Sequence, residues 1–229
     1  MTGSLRLLGH VQLTGAIRCV SGLRIGGSND DLEIGTADMP IIRNPLDQVP
    51  YLPGSSLKGK LRALAEYREG KVDLQRGEPH RCSEIGCMVC TLFGPHKSTN
   101  HQFGPSRLLV RDGQLTPASR TQLEPLREAG LLYAEVKREN WIDRRTGVAG
   151  TGGLRSVERV PAGSVFTLRI SMRVFDGDDR GRNVSFLRTL VESLPREALG
   201  GSGSRGYGEV EIQDLKDDYV PFGSGSGGR

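Results

Sequence analysis

Residues 5–14 place Leu5, Leu7, Val11 and Leu13 on one face at a period of two, the alternation of a half-buried strand. A second strand-like piece, Ile17 to Ile25, runs into Gly26 and Gly27. Residues 53–70 change period. Leu57, Leu61 and Leu64 repeat at helical spacing behind Ser55 and Ser56, either of which is placed to cap the first turn. Residues 106–112 read as a strand, followed by a turn-rich, proline-containing stretch. Residues 164–175 alternate most cleanly, with Phe166, Leu168, Ile170, Met172 and Val174 on one face and Thr167, Arg169, Ser171 and Arg173 on the other. Phe186, Leu187, Leu190, Val191 and Leu194 form a second helical stripe ended by Pro195, and Val210 and Ile212 open a last strand. With the insertions set aside the order is β-α-β-β-α-β, an α+β, ferredoxin-like pattern spanning residues 1–222 as one domain.

Three insertions and one loop interrupt that pattern. Residues 28–50 are polar and poorly periodic, with Asp30, Asp31, Glu33 and Asp38 preceding the first base, Arg43. Loops of this length inside a compact domain are usually functional or mobile. Residues 71–104 hold three of the four cysteines. Residues 135–162 read as two charged limbs of a hairpin around GVAGTGG, residues 147–153. The limbs have little apolar surface, so the hairpin is expected to project with a flexible tip. The sole tryptophan, Trp141, sits on it near Arg138, Arg144 and Arg145. An aromatic beside arginines suits stacking on bases, although a tryptophan is more often a packing anchor. Glu135, Glu139 and Glu158 are expected to form cross-strand pairs with the hairpin's arginines. The loop is GGSGSRGYG, Gly200 to Gly208, where bare backbone lets main-chain N–H groups approach an anion.

Composition narrows the class. The 229 residues are 36% hydrophobic and 25% charged with a net charge of +4, and the pI is about 9.0. This is an ordinary soluble balance, weakly compatible with nucleic acid. Neither a membrane-length apolar run nor a secretory leader is present, so a cytoplasmic location without a membrane partner is expected. Residues 223–229, with the terminal GSGSGGR, read as a disordered tail. Glycine, 32 of 229 residues, is about double the usual share.

His80, Cys82, Cys87 and Cys90 make an H-x-C-x4-C-x2-C cluster. Three thiolates and an imidazole suit a closed, structural zinc site, with His96 or His101 as alternatives to His80. Cys19 stands apart as a core residue. On the helix start, Lys58, Lys60 and Arg62 with the bare Gly59 read either as an ordinary solvated face or as a seat for a phosphate over the helix N-terminus.

GLRIGGSNDDLEIGTADMPIIRNP, PYLPGSSLKGKLR, YAEVKRENWIDR and LGGSGSRGYGEVE, in this order, closely resemble the backbone RAMP subunits of type III-A (Csm-type) CRISPR interference complexes. The resemblance covers nearly the whole chain. It implies a modified RRM-like fold that self-associates as a filament along a CRISPR RNA beside other subunits of the complex, with the hairpin acting as a thumb. It further implies cleavage of complementary target RNA at regular intervals, by attack of the RNA's own 2′-hydroxyl with a divalent metal such as Mg²⁺. The family's essential aspartate falls on Asp38 in IGTADMPII, acting as base or as metal ligand. RNA contacts are expected from Arg24, Ser55, Ser56, Lys58, Lys60, Arg62, Gly201, Ser202, Gly203, Ser204, Arg205, Trp141 and Arg144. Where many relatives carry histidine, this chain has Arg24, which keeps a phosphate contact but does no acid–base work. Two other readings remain open: a non-catalytic RNA scaffold of the same kind, and a nucleotide-binding enzyme. The second lacks the lysine and hydroxyl of a P-loop.

Overall fold

A computed structural model describes residues 4–26 and 39–223. Asp38, with the acids at 30, 31 and 33 and the tail 224–229, lies outside the described residues. Four strands form one antiparallel sheet: β1 (Leu7–Cys19), β3 (Leu108–Val110), β7 (Val165–Phe175) and β8 (Val210–Pro221), in the order β3-β7-β1-β8. Helix α1 (Gly54–Arg68) follows β1, and α4 (Arg180–Ser193) follows β7. The register sets Val11 opposite Met172, Leu13 opposite Ile170 and Ile17 opposite Phe166, all buried. These side chains join Leu57, Leu61, Phe186, Leu187, Leu190 and Val191 in one hydrophobic cluster. The opposite side of β1 and β7 pairs Gln12 with Ser171 and Thr14 with Arg169, so the sheet has one apolar and one polar face.

The first strand corrects the expectation of two. Residues 7–19 are a single strand, because Gly15 does not break it. The register with β8 shifts between Thr14 and Ala16, and a Cβ at Gly15 would lie 2.8 Å from the Gln213 carbonyl oxygen. The glycine admits a bulge in the neighbouring strand. Leu23, expected as strand, makes only an isolated bridge to Val160, and Gly26 beyond that stretch one to Ile41.

Neither serine caps α1. Its N-cap is Pro53 without a side-chain cap, and Asp112 Oδ1 accepts from the Gly54 N–H at 2.7 Å. A helix was also hidden in the proline-containing stretch. In α3 (Pro117–Glu128) Thr116 caps Ser119, Pro117 occupies the first turn and Pro125 lies inside. Prolines read as breakers, but a first-turn proline gives up an N–H that has no helical partner anyway. A short helix α2 (Met88–Phe93) runs through the cysteine segment, and β2 (Tyr51–Leu52) pairs with β4 (Gly113–Gln114).

The hairpin is β5 (Glu135–Glu139) against β6 (Arg155–Arg159), a separate two-stranded sheet. Its limbs are anchored, contrary to the expectation that they stand free of the body. Val157 is buried, Met39 bridges it in parallel, and Leu23 and Val160 exchange backbone hydrogen bonds at 2.9 and 2.8 Å. The tip is open, with Trp141, Ile142, Val148 and Leu154 all exposed, as is Val136 on the outer side of β5.

Candidate functional site

The glycine loop is shaped by backbone-to-backbone contact. The Gly201 N–H donates to the Arg24 carbonyl at 2.8 Å, and that of Gly208 to Gly22 at 3.0 Å. At Gly200 φ is +75° and a Cβ would lie 2.1 Å from the Arg24 carbonyl oxygen; at Gly208 φ is +71° and a Cβ would lie 1.9 Å from that of Leu199. Only glycine satisfies either position. A 3-10 turn, Gly203–Arg205, follows Ser202, itself left-handed at φ 64°. Arg205 and Gly206 donate back into the turn, whereas Ser202, Gly203 and Ser204 have no backbone acceptor among the described residues. Successive unclaimed amides next to an arginine suit an anion.

Tyr207 anchors that loop to the hairpin. It is fully buried and donates its hydroxyl to Glu139 Oε1 at 2.6 Å. Arg155 and Arg205 reach the other carboxylate oxygen of Glu139 at 2.9 and 3.3 Å. The ammonium of Lys137 and the guanidinium of Arg159 sit 4.5 and 5.1 Å from the tyrosine ring centroid. The Tyr207 hydrogen bond, reinforced by Arg155 and Lys137, holds the Glu139 carboxyl down at about 2. Burial, then the bond to that carboxylate, pushes the Tyr207 phenol up to about 12. Glu139 and Glu135 do pair across the hairpin, the latter with Arg159 at 2.6 Å. Glu158 instead takes Arg43 at 2.8 Å and accepts from the Ile41 N–H at 3.2 Å. This fastens the chain after Asp38 to β6, a partnership that sequence spacing could not signal across more than a hundred residues.

The start of α1 comes to the same region, because Lys60 Nζ meets Glu197 Oε2 at 3.0 Å, three residues before the loop. Ser55, Ser56 and Gly59 are exposed. Lys58 is half-buried, its Nζ 3.4 Å from the Leu108 carbonyl. Burial lowers its pKa, with Arg62 and Arg173 adding repulsion. The Nε of Arg24 is buried without a hydrogen-bond partner among the described residues. The structure thus brings Arg24, the α1 start, residues 201–205 and the hairpin base together. Trp141 and Arg144 lie on the hairpin tip. The tip's glycines do more than flex, since a Cβ at Gly150 or Gly153 would fall 2.3 or 2.0 Å from atoms of the Trp141 ring.

The His80, Cys82, Cys87 and Cys90 side chains converge, with all four donor atoms within 4.8 Å of one another. Cys82 Sγ and Cys90 Sγ are 3.7 Å apart, and Cys87 Sγ lies 3.6 Å from His80 Nε2. A tetrahedral zinc with its usual bond lengths requires S···S edges of about 3.8 Å and S···N edges of about 3.6 Å. The donors therefore fit such an ion, with His80 rather than His96 or His101 as the imidazole. Burial pushes the Cys90 thiol up, and a cation at the centre would favour its thiolate. Cys19 is a fully buried core residue.

A chain of this architecture, with a glycine loop hooked over its first strand connection and a hairpin locked to that loop, belongs to the RAMP superfamily, whose family model matches residues 16–211. Three relatives carry the name CRISPR system Cms endoribonuclease Csm3. The one from Methanocaldococcus jannaschii is 40% identical, covering 93% of this chain and 82% of its own. That from Streptococcus thermophilus is 36% identical, covering 93% and 91%, and that from Mycobacterium tuberculosis 33%, covering 90% and 87%. Among solved structures, a chain of the Csm3-Csm4 subcomplex in the type III-A CRISPR-Cas interference complex matches with a TM-score of 0.60 at 29% identity, covering 95% of this chain and 82% of that one. Among the described residues no helix is long and apolar enough to cross a membrane.

Proposed function

We propose that this chain is a CRISPR-RNA-binding backbone subunit of a type III-A effector complex, and that it cleaves RNA paired to that guide. The observation that carries the reading is the joint between glycine loop and hairpin: Arg24, Arg205 and the amides of Ser202–Ser204 share one surface with the α1 start, locked to the hairpin base through Tyr207 and Glu139. Backbone amides and arginines at such a joint grip phosphates irrespective of sequence, leaving sequence choice to guide–target pairing. The central pairs of β1 and β7 on the polar sheet face, Gln12 with Ser171, Thr14 with Arg169 and Ala16 with Thr167, carry no aromatic side chain. A modified RRM-like domain that holds RNA by its loops and helix start, rather than by stacking bases on the sheet, accounts for that.

In this reading Lys58 and Lys60 join the grip with Ser55 and Ser56, and the exposed tip with Trp141 and Arg144 inserts into the guide–target duplex. Copies of the chain stack along the guide as a filament, next to other subunits, in the cytoplasm. Asp38 supports cleavage by accepting or positioning the proton of the target's 2′-hydroxyl. That oxygen attacks the adjacent phosphorus in line, and the 5′-oxygen leaves to give a cyclic phosphate and a 5′-hydroxyl end. A bound divalent ion would relieve charge on the phosphate. Met39, Ile41 and Arg43 are held on β6.

The test is Asp38→Ala in the reconstituted complex. Target RNA should bind with unchanged affinity and remain uncut at the regular positions. Cutting at the normal rate would remove Asp38 from the chemistry, and a wild-type complex that binds target but never cuts it would make the chain a scaffold.

A further inference from the structure

Arg62 occupies a position where the helix α1 could present a third cation to solvent, yet its guanidinium points the other way. Its Nε donates to Glu66 Oε1 at 2.8 Å and its Nη2 to the His80 carbonyl at 2.7 Å. The same Glu66 oxygen accepts from the His80 N–H at 2.9 Å. Both side chains are largely buried, 16% and 11% exposed. Both backbone polar groups of His80 thus meet one ion pair, set at i and i+4 on α1, and the carbonyl also accepts a longer bond from the His96 N–H at 3.4 Å. His80 Nε2 in turn faces Cys87. His80 and Cys82 are the two donors outside α2 and its N-cap, in an irregular segment, so no helix or sheet fixes the His80 backbone.

We propose that Arg62 and Glu66 are positioning residues of the metal cluster, clamping the His80 peptide so that the imidazole completes the Cys82, Cys87, Cys90 tetrahedron. Groups that orient a ligand in this way ordinarily carry 10–100-fold of metal affinity. The inference rests on the metal reading of the cluster and is independent of RNA binding. It also gives the basic residues of α1 different roles. Lys58 and Lys60 serve the outer surface, and Arg62 ties the helix to the insertion behind it.

The experiment titrates zinc out of the full chain with a chromogenic chelator, for the wild type and for Arg62→Met, Arg62→Lys, Glu66→Ala and Glu66→Gln. Arg62→Met and Glu66→Ala should bind zinc about 10–100-fold more weakly. Glu66→Gln keeps an oxygen that can accept both bonds and should stay within a few-fold of wild type. Guide RNA binding by zinc-saturated Arg62→Met should keep the wild-type salt dependence. Equal zinc affinity across all variants overturns the clamp. So does Arg62→Met that holds zinc normally but flattens the salt slope by about 0.7, the value for one lost contact to a single strand. A wild-type chain that takes up no zinc overturns the metal reading itself. If Arg62→Met does not fold, the Glu66→Ala and Glu66→Gln pair decides the question alone.

Discussion

Tyr207 of the glycine loop and Glu139 of the hairpin are joined by a 2.6 Å hydrogen bond in which a fully buried phenol donates to a carboxylate. This contact couples two segments 68 residues apart, each of which is also tied by backbone hydrogen bonds to residues 22–24. It also places Arg205, 3.3 Å from the same carboxylate, at the rim of the joint rather than free in solvent.

Tyr207→Phe should lower unfolding stability by about 1.5–3 kcal/mol, the range for a hydrogen bond to a charged group. The acid side has a defined sign. A carboxyl held at about 2 in the fold, from an ordinary 4.5, adds stability that is complete above about pH 4.5 and vanishes as pH falls through about 2. The stability difference between wild type and Glu139→Gln should therefore shrink steadily across that window in denaturant titrations. A difference that stays constant from about pH 5 to about pH 2 would show that Glu139 is not held ionised by this joint.

Trp141 is the only tryptophan and its ring lies against Gly150 and Gly153. Gly153→Val should displace the ring, shifting its fluorescence to the red and exposing the tip to proteases, while the fold's melting temperature changes little because the tip lies outside the core. Unchanged emission would mean that the glycines do not seat the ring.

Lys58→Ala with Lys60→Ala should weaken guide RNA binding for any sequence and reduce the salt slope by up to about 1.4, two contacts at about 0.7 each. Lys60→Ala also leaves the Glu197 carboxylate, now 3.0 Å from that ammonium, as an unpaired negative charge beside the glycine loop. Glu197→Gln alone should consequently bind RNA at least as well as wild type. An intact salt slope in the double variant would remove both lysines from the interface.

Replacing Cys82, Cys87 and Cys90 by serine should abolish stoichiometric zinc, and chelation of the wild type should lower its melting temperature, because bound metal stabilises only the folded cluster. Elemental analysis and a thermal melt with and without chelator check both. Metal-free wild-type protein with an unaltered melt would leave the cluster as four thiol and imidazole groups that happen to meet.

What local order could state, the chain stated. The alternation over 164–175 predicts β7, and the stripes of Leu57, Leu61, Leu64 and of Phe186 to Leu194 predict α1 and α4, because burial of one face imposes a period that survives in the sequence. The Cys82, Cys87, Cys90 spacing and the Gly200–Gly208 run likewise carry their chemistry in plain view, since metal ligands and bare backbone have few substitutes. Expectations failed where a residue's meaning depends on a distant neighbour. Gly15 reads as a break until β8 supplies the bulge opposite it, and Ser55 reads as a cap until Asp112 takes the Gly54 N–H. Arg62 reads as one more surface cation until the insertion folds back and offers the His80 carbonyl. Local order thus sufficed for β7, α1 and α4, for the cysteine cluster and for the glycine-rich run, but not for α3, for the continuous first strand or for the choice of His80. Which charges meet was left to folding: Tyr207 with Glu139, Arg43 with Glu158, and Arg62 with Glu66 and His80. Periodicity reports which face of an element is buried, whereas the partner of a buried polar group is set by chain segments brought together only on folding.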